Sequence, residues 1–174
     1  MWKAIGQMVE ELKRCEAAEA DVAAVALIYI YIDTFAFLAM PEEQEKQTRT
    51  DFQAWVDTYL KGDPAQPYQY RGIDVYGARC ALLHSYGSEA DYHGKNEEAL
   101  MFAYSDGGKH AFDPNVHPRL VIIGIPSFIN DMVHAIGAFV QACQDDLPLR
   151  ARVSKRLPKV LTTLPFVHES QSTG

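Results

Sequence analysis

The chain has 174 residues, 48% of them hydrophobic and 22% charged, a composition that suits one soluble globular domain with room for a full core. Its formal charge of −7 and isoelectric point near 5.3 exclude an extended surface for coating nucleic acid and leave only a local basic patch for such contacts. Three well-separated cysteines, Cys15, Cys80 and Cys143, argue against a disulfide framework or a thiolate metal site and fit a reducing cytoplasm.

In chain order, Trp2, Ile5, Met8, Val9 and Leu12 recur near a 3.6-residue period and predict an amphipathic helix over 2–18. This opening run lacks the basic head and unbroken apolar stretch of a signal peptide, so a cytoplasmic protein is expected. The next run, VAAVALIYIYIDTFAFLAM at 22–40, approaches the length of a membrane span. Asp33 lies inside it and no Lys/Arg cluster flanks it, so a core helix buried nearly all round is expected, with no membrane contact. Asp21 is placed to cap its start and Pro41 to help end it.

After the acidic loop PEEQEKQ, the residues Phe52, Trp55, Val56, Tyr59 and Leu60 predict a third helix, stopped by Gly62, Asp63 and Pro64. The turn-rich DPAQPYQYRG leads into a fourth helix over 73–86, with Asp74 near its positive end and Gly87 as its C-terminal cap. Residues 88–96 read as a polar loop. ALMFAYSDGGKHAFD and RLVIIGI are β-prone, and the DGG turn suggests that they pair as an antiparallel hairpin near 99–125. Pro126 opens a last long helix running to about Gln144. The expected fold is mainly α: a helical bundle of four to five long helices in one domain, 1–147, with a small antiparallel β-hairpin insertion, then a basic, proline-broken tail, 148–174.

The segment DVYGARCALLHSYG, 74–87, concentrates groups with chemistry. At about 100° per residue, Arg79 and Tyr86 share a helix face, and His84 sits some 140° around from Arg79, within reach of a long guanidinium. An imidazole that titrates near neutrality and a guanidinium that grips phosphate suit phosphodiester cleavage, and RNA brings its own nucleophile in the ribose 2′-hydroxyl. Asp33, a carboxylate in an apolar helix, needs a partner: Arg79 or His84 would make it an orienting group, while an exposed site or a bond to a tyrosine such as Tyr76 would make it structural. Cys80 lies four residues before His84, so a Cys–His nucleophile is a lesser option beside a buried small apolar residue. His93, His110 and His117, with Asp91 and Asp113, match no closed metal site and read as solvated loop residues. No metal or cofactor is expected.

RCALLHSY has the form Arg, four residues, His, one residue, Tyr, and resembles the signature of the HEPN superfamily. The resemblance implies a small helical bundle, commonly a homodimer with two motifs facing one cleft, and metal-independent endoribonuclease activity of the toxin or defence kind. It makes Arg79 the phosphate-binding group and His84 the acid or base. The tyrosine two after the histidine is similar to toxins paired with a minimal nucleotidyltransferase antitoxin, which makes Tyr86 a modification target. One departure bears on activity more than on fold: the residue after the arginine is usually polar in the family, and here it is Cys80. Two other readings stand beside the nuclease: a catalytically inactive nucleotide- or RNA-binding or partner module, and a structural or regulatory helical protein whose trio is packing only.

Overall fold

The computed structural model describes residues 2–160, apart from the Ser85 side chain. The expected tail therefore falls partly outside the described residues, from 161 onward. The fold is mainly helical. Its elements are α1 (Trp2–Ala17), α2 (Asp21–Ala39), α3 (Arg49–Tyr59), α4 (Gly72–Ser85), α5 (Asp91–Lys95), β1 (Met101–Ser105), β2 (Leu120–Gly124), α6 (Ile125–Asp145), α7 (Leu147–Arg156) and a 3-10 turn, Leu157–Lys159.

The apolar α2 is the central element and contacts α1, α3, α4, α6 and α7. By length and composition alone it could cross a membrane; here its Ile28, Tyr29, Ile32, Phe35 and Leu38 are buried against neighbouring helices. Phe35 stacks on Trp55 at 5.6 Å, and Phe139 of α6 closes on both rings. The first residue of α2 is Asp21, with Ala20 in the capping position, so Asp21 favours the helix start through its charge near the positive end and not as the cap.

The two strands pair in parallel, Met101 with Leu120 through Ser105 with Gly124, which corrects the expected antiparallel hairpin. A parallel pair needs a crossover of about a dozen residues or more, and 106–119 supplies it. The DGG turn does not join the strands directly: it redirects the chain so that Ala111 meets Ile122 antiparallel on the other side of β2. The crossover backbone lies so close to the end of β2 that a Cβ on Gly124 would fall 2.5 Å from the Gly107 carbonyl.

Three further corrections concern loops. Residues 88–96 include the short helix α5. His93 and His110, expected in solvent, are buried, whereas His117 is exposed. His110 is held by partners distant in sequence: the Gly124 N–H donates to Nδ1 at 3.1 Å, and Nε2 lies 2.7 Å from the Tyr70 hydroxyl. With the Nδ1 lone pair so used, the neutral ring carries its proton on Nε2 and donates to Tyr70, whose hydroxyl in turn donates to Asp131 at 3.0 Å.

From Leu147 the chain forms α7, which seats Leu149, Val153 and Arg156 on the core. The Arg156 guanidinium donates to the carbonyls of Leu38, Met40 and Pro41, so a cation satisfies the free acceptors at the C-terminal end of α2.

Candidate functional site

The helix α4 is fixed at its start by contacts that tolerate little change. Gly72 opens it against α3, where an added Cβ would fall 2.5 Å from the Gln53 carbonyl, and its N–H donates to Asp57 at 2.6 Å. Asp74, fully buried in the first turn, accepts from Tyr68 at 3.0 Å, from Arg71 twice at 2.7 Å, and from the Leu100 N–H at 2.8 Å. Every lone pair of this carboxylate thus has a donor, which is what makes its burial tolerable. It ties the first turn of α4 to the segment entering β1.

At the other end of α4 the structure brings Asp33, Arg79 and His84 together. Arg79 donates from Nε to one oxygen of Asp33 at 2.9 Å, its Nη2 lies 2.9 Å from the same oxygen as an ion pair, and Gln47 reaches the other oxygen at 3.4 Å. Burial pulls the Arg79 pKa down, and the Asp33 charge and hydrogen bond outweigh it, leaving the guanidinium above its ordinary value. The remaining terminal nitrogen, Nη1, lies 3.3 Å from Nε2 of the exposed His84. A guanidinium only donates, so this contact assigns a lone pair to Nε2 and, in the neutral ring, the proton to Nδ1. Of the partners open to Asp33, the structure shows Arg79.

Tyr86 does not continue the helix. It takes the left-handed conformation, φ 55°, while the Tyr86 and Gly87 N–H groups turn back to the carbonyls of Leu82 and Ala81. The reversing residue is therefore the tyrosine and not Gly87, a conformation that costs a non-glycine residue about 1 kcal/mol or more. Its side chain is 75% exposed. Tyr76 and Cys80, one turn apart, are half-buried side by side, and burial followed by the Cys80 thiol raises the Tyr76 hydroxyl above its usual range. The Tyr76 ring packs edge-on to Phe52 and Tyr92.

His84 and Cys80 open onto a cleft of about 780 Å³ whose other walls are Glu89, Ala90, Asp91, Tyr92 and Gly94. Sequence reasoning did not pick out Glu89 or Tyr92, and it weighed Asp91 only as a metal ligand; the one signal was a polar run with a lone aromatic directly after the motif. Tyr92 is held from behind: Gln53 donates to its hydroxyl at 3.0 Å, and the Arg49 guanidinium sits 5.8 Å from the ring centre. Asp33 also borders a larger groove, about 890 Å³, between α1, α2 and the end of the described chain. Among the described residues no three His, Cys, Asp or Glu side chains converge as a metal site. No family model, curated protein or solved structure matches the chain.

Proposed function

We propose that this chain is a HEPN-like helical-bundle endoribonuclease that cleaves RNA without a metal ion, acts as a homodimer, and serves as a toxin or defence effector. The reading rests above all on the 3.3 Å approach of Arg79 Nη1 to His84 Nε2, with His84 lining an open cleft. A phosphate entering there takes over the Nη1 donor from His84 and so frees the Nε2 lone pair for the 2′-hydroxyl. His84 takes the proton of the ribose 2′-hydroxyl, and the 2′-oxygen attacks the adjacent phosphorus. The bond to the 5′-oxygen breaks, leaving a 2′,3′-cyclic phosphate, and a proton is delivered to the departing oxygen. One chain supplies one imidazole at this site, so the second proton transfer falls to His84 of a second copy across a two-fold axis. Arg79, oriented by Asp33, neutralises charge on the non-bridging oxygens. Tyr86, exposed immediately after the pair, is the hydroxyl that a nucleotidyltransferase-type antitoxin would modify with AMP.

The test is incubation of the purified protein with RNA in excess chelator. Cleavage to cyclic-phosphate ends is expected, with a loss of about a hundredfold or more in His84→Ala. Intact RNA, or equal cleavage by the variant, refutes the enzyme. Two observations favour a second reading, a nucleotide- or RNA-binding module without turnover: Asp33 already partly neutralises the Arg79 guanidinium, and Cys80 stands where a polar residue is usual. That reading expects bound nucleotide and no product.

A further inference from the structure

The cleft beside the Arg79–His84 pair is larger than a phosphate requires. About 780 Å³ accommodates a nucleotide, and its lining joins His84 and Cys80 to an aromatic and two acidic residues. The aromatic is Tyr92, half-buried and braced by Gln53, Arg49 and Tyr76, with Glu89 and Asp91, which line the same cleft, on either side in sequence. Both carboxylates are exposed, and neither forms a salt bridge among the described residues. An unpaired carboxylate repels phosphate, so these two would weaken RNA binding if they faced the backbone. Beside an aromatic ring they face a different part of a nucleotide.

We propose that Tyr92, Glu89 and Asp91 form a nucleobase subsite that selects guanine next to the scissile phosphate. This rests on the nuclease reading for the phosphate position. A base stacks on the tyrosine ring irrespective of its identity, since every base has an aromatic face. Identity comes from the carboxylates. Guanine presents N1–H and N2–H side by side and satisfies a carboxylate with two charge-assisted hydrogen bonds. Adenine and cytosine present one amino group, and uracil presents a single imide N–H between two carbonyls that repel the carboxylate. The two carboxylates then agree with an RNA substrate: the cation holds the phosphate, and the anions read the base.

The experiment is calorimetric titration of the full chain with the 3′-monophosphates of guanosine, adenosine, cytidine and uridine, with cut-site mapping on an RNA of mixed sequence. Guanosine 3′-monophosphate is expected to bind about tenfold or more tightly than the uridine compound, the discrimination one two-point contact provides. Glu89→Gln with Asp91→Asn should bring the four within about twofold while leaving the melting temperature unchanged, since both side chains are exposed. Equal affinity for the four nucleotides in the wild type overturns the subsite, as does a preference that survives in the double variant. RNA cleaved without preference for guanosine also overturns it and leaves the nuclease standing. A guanine preference in binding, without any cleavage, sustains the subsite and refutes the nuclease.

Discussion

The Asp33–Arg79 pair joins α2 to α4, and its strength can be worked out before it is measured. Two unit charges about 4 Å apart attract by about 4 kcal/mol at the effective dielectric of about 20 that suits partly buried sites. The side chains retain 23% and 28% exposure, so each has lost most of its water, and that desolvation takes back several kcal/mol from the gross attraction. The net coupling should fall between the values for exposed pairs, about 0–1 kcal/mol, and the 3–5 kcal/mol for breaking a fully buried one. We expect about 1–2 kcal/mol. The assay is a double-mutant cycle with Asp33→Asn, Arg79→Gln and the combination, each unfolded in urea at pH 7. In 1 M salt, where the screening length is about 3 Å, the coupling should persist, because water and ions reach the pair poorly. The exposed Lys155–Glu42 pair, 70% and 60% accessible, is the internal comparison and should lose its coupling there. A cycle near zero, or one that salt abolishes, refutes the view that α2 holds Arg79 in place.

Arg156→Ala should lower stability by about 2–4 kcal/mol in the same assay, because hydrogen bonds from a charged donor to three carbonyls are lost together and do not add fully. Lys155→Ala, one residue away and exposed, should shift the midpoint far less. Stability should also fall as the pH drops from 7.5 to 5.5. Burial holds His110 and His93 below their ordinary pKa, so below about 6.5 the unfolded chain binds more protons than the folded one. Burial raises the Asp131 carboxyl, which acts in the opposite sense nearer the carboxylate range. A urea midpoint that is flat or rising over that interval contradicts the neutral-ring assignment for His110, which faces Tyr70, Tyr68 and Asp131.

Much of the helical framework was legible from periodicity. The expected spans 2–18, 22–40 and 73–86 lie within a residue or so of α1, α2 and α4, since the first carries a repeating apolar pattern and the other two are apolar runs bounded by Pro41 and Gly87. A carboxylate in an apolar helix demanded a partner, and Arg79 was one of the residues long enough to be it. The direction of the sheet was not legible. Alternation in LVIIG marks inward and outward faces equally for parallel and antiparallel neighbours, and a DGG turn after a β-prone run has the local look of a hairpin. The buried histidines were hidden for another reason: the partners of His110 come from Tyr70, 40 residues earlier, and from Gly124. The cleft walls at Glu89 and Tyr92 lacked any pattern, because five residues of α5 are too few to show one.

Arg156 ties off a helix made long before it. Leu38 and Arg156 are separated by 118 positions, so a growing polypeptide adds that many residues before the end of α2 can acquire its cation. The long loop this closes is entropically slow to form. Because α2 also carries Asp33, the end that α7 ties off lies less than two helical turns from the carboxylate that pairs with Arg79.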